Sequence, residues 1–375
     1  MLFSELPGLQ GIRTTLIQSV KNNHIAHAQL FLGTPGSGNL ALALAYATYI
    51  NCEDKKEDDA CGVCASCSKF NKLIHPDLHF AFPVTTTKNV SKDPLSNLFM
   101  KDWRNFVLQN PYGDINNWTN FIGSENKQPN ISVEESRNII KSLALKSFEA
   151  EYKILILWLP EFMNPSAANA ILKILEEPPY KTIFLLVSNN SERLLTTILS
   201  RTQLVNVPPF TDEQIYKGLV EKYKVEEKQA KQLAYLADGN FNEALWLMKE
   251  TEEDNHQIFR DWMRSCFKKN NLVELVSWSE QFHALGKEAQ KNLFAYGLNI
   301  LREALIFKYH GDKLLRLQDE DLKFIDGFSK ILDHEKIENI SKEINKAYYH
   351  LERNASAKIL FLDISIYISS VLKNR

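Results

Sequence analysis

Three short apolar runs constrain the fold of the first two hundred residues. They are QLFLG (29–33), KILILWL (153–159) and IFLLV (183–187). A strand with one solvated face alternates apolar and polar residues, so continuous runs indicate strands that are buried on both faces. Strands of this kind are typical of a parallel sheet that helices cover.

The segment between the last two runs, NPSAANAILKILEEPP, predicts a helix. Asn164 can cap it, Pro165 suits its first turn, and Pro178-Pro179 ends it. Its predicted apolar face consists of Ala168, Ile171, Leu172 and Leu175, and its predicted solvent face of Lys173, Glu176 and Glu177. Strand, helix and strand form a β-α-β unit, so we expect an α/β domain with a mostly parallel sheet.

Length and charge bound the class of protein. A chain of 375 residues is long enough for two or three domains. Its net charge of −2 gives no global attraction for nucleic acid, so any DNA contact is expected to be local or shared with a partner. No apolar run approaches the roughly 20 residues of a membrane helix. The start, MLFSELPGLQG, lacks the pattern of a signal peptide, and we expect a cytoplasmic protein with no membrane partner.

Helical patterns replace strands after VPPFTDEQI (207–215), where Thr211 can cap a new helix. We predict an α/β module over 1–207, a small helical unit over 208–250 with a turn at 238–240, and a larger helical domain over 256–375. The polar stretch 249–257 joins the last two.

Two segments are harder to interpret. KILFLDISIYISSVL (358–372) can be read as a strand, but its length and the stripe Ile359, Leu362 and Ile366 favour a helix. Residues 84–132 are polar, rich in Asn and dotted with aromatic residues. We predict that they are an insertion that packs as a loop or as short helices.

The stretch GTPGSGNLA (33–41) stops just short of a phosphate-binding loop. Gly33 and Gly38 occupy the two glycine positions of G-x-x-x-x-G-K-[ST], with Gly36 between them. However, Asn39 replaces the Lys that neutralises phosphate charge, and Leu40 replaces the hydroxyl residue that ligates magnesium. The loop is therefore either a vestigial phosphate loop or a tight turn that needs glycine for its shape. Weak phosphate binding by the backbone stays open.

The strand expected to supply magnesium-holding acids lacks them as well. KILILWLPEFMN is apolar where the Asp is expected, and only Glu161 follows. Two independent losses argue against ATP hydrolysis by this chain.

Four of the five cysteines lie within sixteen residues, as C-x8-C-x2-C-x2-C. In a reducing compartment this clustering favours a metal over disulfides. Cys52, Cys61, Cys64 and Cys67 can form a closed tetrahedral zinc site of the structural kind. Free thiols are the alternative, and His75 and His79 are competing ligands. Cys266 stands alone and is expected to be a small buried side chain.

The pair Ser200-Arg201 ends the segment SERLLTTILSR. Its Arg can stabilise charge on a γ-phosphoryl group at a neighbouring subunit, as an arginine finger supplied in trans. The alternative is a surface Arg in a weak ion pair.

In this order, HAQLFLGTPGSG, the cysteine run followed by HPDL, NPSAANAILKILEEPP and SERLLTTILSR resemble the clamp-loader subunits of bacterial DNA polymerase III. The motifs cover residues 7–210, and the C-terminal part fits by architecture. The resemblance implies an AAA+ module with a zinc insert (52–67), a helical lid and a helical collar. Within the family the chain resembles the delta prime members, which keep the zinc module and a Ser-Arg-Cys motif but have a degenerate loop.

That resemblance implies a division of labour. The chain would be a non-hydrolysing member of a five-subunit ring with the delta subunit and the tau or gamma ATPase subunits, which bind ATP. Arg201 would complete a neighbour's ATP site while the ring loads the sliding clamp onto primed DNA. Thr202 stands where the family has Cys, and Asn242 stands near the place of a lid arginine in active members.

Two rival functions remain. One is an active AAA+ ATPase with an unusual loop. The other is a zinc-dependent nucleic-acid-binding module, whose DNA binding would depend steeply on salt.

Overall fold

The computed structural model describes residues 1–88, 90–124, 127–250, 255–269, 271–310, 320–353 and 355–373. The chain divides into two compact units, Met1–Leu245 and Trp246–Arg375. The finer boundaries at 207 and 250 stay predictions, and residues 251–254 of the predicted linker lie outside the described residues.

A parallel sheet of five strands forms the centre of the first unit, in the order β2-β3-β4-β1-β5. The strands are β1 Ala28–Leu32, β2 Leu78–Ala81, β3 Lys153–Trp158, β4 Thr182–Ser188 and β5 Gln203–Asn206. The three apolar runs become β1, β3 and β4 as predicted, and every residue of β3 and β4 is buried. The prediction of a mostly parallel α/β domain is confirmed.

Helices cover the sheet, since strands buried on both faces need cover on both. Those of the first unit are α1 Gln10–Lys21, α2 Asn39–Ile50, α3 Ala65–Asn71, α4 Met100–Gln109, α5 Ile115–Phe121, α6 Val133–Ala144, α7 Pro165–Glu176, α8 Thr196–Leu199, α9 Asp212–Tyr223 and α10 Glu227–Leu236; α11 Phe241–Glu250 begins in it. Short 3-10 helices lie at Phe3–Glu5, Ser96–Phe99, Pro160–Phe162 and Ser191–Arg193. All residues of the alanine-rich α2 are buried.

The predicted helix signals hold. Asn164 caps α7, its side chain accepting a hydrogen bond from the Ala167 N–H at 2.8 Å, and Pro165 opens the helix. Ala168, Ile171 and Leu175 pack into the core between α7 and the sheet. Thr211 caps α9, and the turn before α11 has positive φ at Asp238 and Gly239.

Residues 84–132 contain α4 and α5, and they carry an aromatic core. Trp103 and Trp118 are fully buried. Trp103 stacks on Phe82 with ring centroids 4.2 Å apart and lies 5.0 Å from Trp158 at the end of β3. The segment is therefore a packed part of the first unit.

The described residues of the second unit form helices α12 Asn255–Phe267, α13 Leu272–Ala284, α14 Lys287–His310, α15 Glu320–Ser329, α16 His334–Glu352 and α17 Ala357–Lys373. Phe361 stacks on Trp262 and on Phe282, with centroids 4.5 and 4.1 Å apart. Cys266 is buried as expected, and burial raises its pKa to about 12.

The helix predicted over 358–372 is present as α17, but its predicted apolar face was wrong. Ile359 and Ile366 are exposed, and the buried residues include Phe361, Ile364 and Ile368. Most of this segment is apolar, so its sequence does not mark one face.

Among the described residues, none of the helices combines the length and the apolar character that crossing a bilayer requires.

Candidate functional site

The glycine loop joins β1 to α2 in the position of a phosphate loop. Gly36 and Gly38 have φ of +75° and +81°, a region that glycine enters without the steric penalty of a Cβ. Gly38 is also the N-cap residue of α2. The three predicted glycines thus form one tight strand-to-helix turn, with Gly33 donating its N–H to the Ser188 carbonyl at 3.2 Å.

The residue in the lysine position is engaged inside the fold. Asn39 Nδ2 donates to the Ser188 carbonyl at 3.1 Å and to Asn189 Oδ1 at 2.9 Å. Its Oδ1 accepts from the Leu40 N–H at 2.9 Å. Asn39 and Leu40 are both buried. The Asn39 side chain therefore ties the start of α2 to the end of β4.

Glu161 contacts Asn189, the residue that Asn39 also contacts. Its Oε1 accepts a hydrogen bond from the Asn189 N–H at 2.8 Å. Burial raises the pKa of Glu161, although hydrogen bonds from Asn189 and neighbouring groups oppose the rise. Its Oε2 is buried with no hydrogen-bond partner in the described part of the chain. Because burial disfavours the charged carboxylate and Oε1 already accepts the Asn189 N–H, Glu161 is a weaker ligand for magnesium than an exposed carboxylate would be.

A cleft of about 800 Å³ borders the start of the loop. Gly33 and Thr34 line it together with residues 189–192 and 206–209, whereas Gly36 and Gly38 do not.

The four clustered cysteines converge as predicted. Their sulfur atoms all lie within 4.8 Å of one another, and Cys61 and Cys67 Sγ are 3.9 Å apart. A tetrahedral ion with bonds of about 2.3 Å places its sulfur ligands about 3.8 Å apart, so the four residues fit a zinc ion. The arrangement can hold a metal.

Backbone donors surround these sulfur atoms. The N–H groups of Cys61, Cys64 and Cys67 point to Cys52, Cys61 and Cys64 Sγ, at 3.2 to 3.3 Å. Hydrogen bonds from the Val63 and Cys64 N–H groups lower the pKa of Cys61 to about 6, whereas burial raises the pKa of Cys52 and Cys67. Donors of this kind favour thiolates, the form that binds a metal.

The histidines that competed as ligands do not join the cluster. His75 Nδ1 accepts from the Asp77 N–H at 3.1 Å, and its other ring nitrogen lies 3.4 Å from Glu149. Asp77 accepts three N–H groups of residues 148–150 at 2.6 to 2.8 Å. Burial would raise the pKa of Asp77, but these donors outweigh it and lower the pKa. No local signal in the sequence marks this role, because the donors lie 71 to 73 residues away.

Arg201 lies between α8 and β5, with its side chain 30% exposed. Its guanidinium donates to Glu176 Oε2 at 3.2 and 3.3 Å and to the Thr197 carbonyl at 3.0 Å. Ser200 is exposed, and its Oγ donates to that same carbonyl at 3.2 Å. The ion pair matches the alternative interpretation of Arg201, but a partly exposed pair is weak and leaves the guanidinium available.

The two departures from the motif have structural roles. Thr202 Oγ1 donates to the Ile198 carbonyl at 3.1 Å and so closes α8. Asn242, near the predicted place of a lid arginine, is buried, and its Oδ1 accepts from Asn110 Nδ2 at 2.6 Å.

The parallel α/β module contains a strand–glycine loop–helix unit and a four-cysteine cluster. These are features that the resemblance to bacterial clamp-loader subunits implies. The sequence model of the family described as DNA polymerase III, delta subunit, matches residues 9–211. This is more than half of the chain, so the chain belongs to that family, within the delta prime clamp-loader group. The predicted resemblance is confirmed.

The curated relatives that the chain resembles are named as subunits of DNA polymerase III. The chain is 27% identical over 237 residues to DNA polymerase III subunit delta' of Bacillus subtilis, covering 63% of this chain and 58% of the relative. It is 30% identical over 176 residues to subunit delta' of Pseudomonas aeruginosa (47% and 41%), and 25% identical over 253 residues to subunit tau of Bacillus subtilis (66% and 37%). The chain thus spans between about a third and three fifths of the length of these relatives.

Two solved structures align with nearly the whole chain but superpose poorly on it. A DNA polymerase III gamma subunit-related protein from Thermotoga maritima is 17% identical, with 96% of this chain and 99% of that chain covered and a TM-score of 0.36. The clamp loader delta protein of Bacillus subtilis is 11% identical, with 96% and 100% covered and a TM-score of 0.33.

Proposed function

We propose that this chain is a non-hydrolysing subunit of the clamp loader of DNA polymerase III. In this role it donates Arg201 in trans to the ATP site of a neighbouring subunit. The observation that carries the proposal is the contrast between its own loop, whose lysine position is filled by a buried Asn39, and a partly exposed Arg201 at the end of α8.

The chain's own loop supports the absence of hydrolysis. A working site needs a cation for the β- and γ-phosphates and a hydroxyl for magnesium. Asn39 supplies neither and is hydrogen-bonded to residues 188 and 189, and Leu40 is buried and apolar. Trp158, at the end of β3, is packed against Trp103. The side chains at these three positions therefore stabilise the fold, and none of them supplies a group that ATP hydrolysis needs.

The surroundings of Arg201 support donation to a neighbour. Glu176 orients the guanidinium without burying it, since the Glu176 side chain is itself 60% exposed. An ion pair of this kind contributes up to about 1 kcal/mol, so a polyanionic phosphate can compete for the Arg. Charge on a transferring γ-phosphoryl group is the target that such a residue stabilises.

The rest of the role follows from the family. Residues 1–207 would form an AAA+ module, 208–250 a lid and 256–375 a collar that joins those of neighbouring subunits. The partners would be the tau or gamma ATPase subunits, which bind ATP, and the delta subunit. The assembled ring would place the sliding clamp on primer-template DNA, in the cytoplasm where replication takes place.

We also propose that the cysteine cluster binds a structural zinc ion through Cys52, Cys61, Cys64 and Cys67. Four thiolates leave no open position for water, so the ion would staple the chain between α2 and α3. The test is metal content of the purified chain. One zinc per chain is expected. Cys64→Ser should lose the ion and have a lower melting temperature. A wild-type chain that is as stable without metal as with it would overturn the proposal.

The role is tested by clamp loading onto primed DNA with subunits of the same organism. We expect loading only when this chain is present, a large loss with Arg201→Ala, and normal loading with Arg193→Ala. Arg193 is the matched control, because it is an exposed arginine of the same segment. If clamp loading were equally efficient without this chain, the proposed role in the clamp loader would be refuted.

Two further measurements address the rival functions. ATP turnover by the isolated chain would support an active ATPase. Tight DNA binding by the isolated chain, lost on chelation and steeply dependent on salt, would support a nucleic-acid-binding module.

A further inference from the structure

The glycine loop is in direct contact with the start of α11. The Gly36 carbonyl accepts a hydrogen bond from the Phe241 N–H at 3.1 Å. A Cβ added to Gly36 would lie 1.7 Å from Asn240 Oδ1, so only glycine fits beside this side chain. Asn240 Oδ1 also accepts from the Glu243 N–H at 3.1 Å, which fixes its position at the start of the helix. The loop and α11 are therefore packed against each other.

Aromatic rings cover the second half of the loop. A Cβ on Gly38 would lie 2.7 Å from Phe210 Cζ and 3.5 Å from Tyr112 Cε1. The Tyr112 ring lies 4.6 Å from that of Phe241 and 6.0 Å from that of Phe210. Tyr112 comes from the segment 84–132, so this segment reaches the loop and the helical region 208–250 at one point.

A polar contact accompanies the ring. Asn110 Nδ2 donates to Asn242 Oδ1 at 2.6 Å, and Asn110 Oδ1 accepts from the Tyr112 N–H at 3.1 Å. Asn110 follows α4, whose Trp103 and Phe106 belong to the aromatic core of the first unit. The arm formed by residues 110–112 is thus anchored at its base and pinned to α11 at its tip.

We propose that residues 110–112 are an internal substitute for nucleotide. A bound nucleotide can hold a glycine loop and an adjacent helical segment together, because its phosphates contact the loop's N–H groups. Here the Tyr112 ring lies beside Gly38 and packs on Phe241, and Asn110 bonds to Asn242, so the insertion makes that connection with its own side chains. The α9–α11 region then keeps one position whether or not ATP is present. The segment 84–132 thus has a role within the chain itself, independent of the clamp-loader role.

The Tyr112 hydroxyl separates packing from ligand binding. The side chain is buried, and its OH has no hydrogen-bond partner among the described residues. Since the ring makes the contacts, Phe at this position should preserve them, whereas Ala should remove them. If the hydroxyl instead served a bound ligand, Phe would fail as Ala does.

The test is hydrogen exchange of the full chain with and without ATP and Mg²⁺. In the wild type, exchange at 33–41 and 239–243 should not change when nucleotide is added. Tyr112→Ala should speed exchange in both segments at least roughly tenfold while leaving β3 and β4 protected. Tyr112→Phe should behave as wild type, as should Tyr180→Ala, which removes an exposed tyrosine.

Three results would overturn the proposal: wild-type protection that rises with ATP, unchanged exchange in Tyr112→Ala, or equal effects of the Phe and Ala variants. Should Tyr112→Ala fail to fold, Asn242→Ala provides the same test. It removes the acceptor of Asn110 Nδ2 and should speed exchange at 110–112 and 239–243, and no increase there would equally contradict the inference.

Discussion

The glycine loop and the connection between α8 and β5, called here the Arg201 corner, belong to the same α/β module. They differ in what their side chains contact. At the loop, Asn39 and Glu161 both bond to Asn189, and these side chains are engaged within the fold. At the corner, Arg201 has one partly exposed carboxylate partner, Glu176, and a backbone carbonyl. The side chains of the first region are engaged in the fold, whereas the guanidinium of the second stays partly exposed.

This difference predicts opposite responses to mutation. Changes at the loop should alter the free energy of unfolding and leave the turnover of a partner's site unaffected except through folding. Changes at Arg201 should do the reverse.

The largest stability loss is expected when an acid is placed where a magnesium-holding Asp would stand. Trp158→Asp removes a ring 5.0 Å from Trp103 and buries a carboxylate among aromatic side chains. We expect a loss of about 4 kcal/mol or failure to fold, measured by urea denaturation. Trp158→Phe should lose less. A Trp158→Asp chain of wild-type stability would mean that this end of β3 is not a packed core.

Restoring the loop lysine should also destabilise the chain without restoring chemistry. Asn39→Lys breaks the hydrogen bonds to Ser188 and Asn189 and buries an ammonium group, at a cost of about 3 kcal/mol. Denaturation and ATP turnover of the isolated chain are the measurements. Hydrolysis by Asn39→Lys, alone or with Leu40→Thr, would show that the site is only missing its side chains.

Glu161 should give a smaller effect that depends on pH. Its folded pKa is raised above the ordinary 4.5 by burial, so the folded state holds the proton more tightly than the unfolded chain. The unfolded carboxyl therefore ionises first as pH rises through 4.5, and the wild type loses stability above that pH. Glu161→Gln cannot ionise and keeps the acceptor for the Asn189 N–H. Its stability relative to wild type should be greater at about pH 8 than at about pH 5; a constant or shrinking difference would place Glu161 in solvent.

The smallest stability effect is expected for Arg201→Ala. The variant loses a partly exposed ion pair to Glu176, so its free energy of unfolding should change by no more than about 1 kcal/mol. Urea denaturation beside Arg193→Ala checks this. A loss of several kcal/mol would identify Arg201 as a structural residue.

The sequence predicted the parts of the fold whose signals are local. Continuous apolar runs identified β1, β3 and β4 because their residues are buried on both faces. The exposed edge strand β5 reads QLVN and carries no such signal. The aromatic core of 84–132 was not predictable either, because Trp103 is paired with Phe82 and Trp158, and residues without a period do not reveal distant partners.

The candidate site divides in the same way. Spacing sufficed to group the four cysteines and to identify the missing lysine, because those features lie within short segments. The bonds that explain Asn39 join residues 149 and 150 positions apart, and the Asn110–Asn242 contact spans 132. Contacts of that separation depend on the folded topology.

The central claim, that this chain acts through Arg201 on a neighbour's ATP, is tested most directly by ATP turnover of the reconstituted loader with clamp and primed DNA. With Arg201→Ala in an assembled complex, we predict a fall of at least roughly tenfold, or about 1.4 kcal/mol of barrier. Arg193→Ala should leave turnover unchanged. Wild-type turnover by an intact complex that carries Arg201→Ala would contradict the account and reduce this chain to a scaffold.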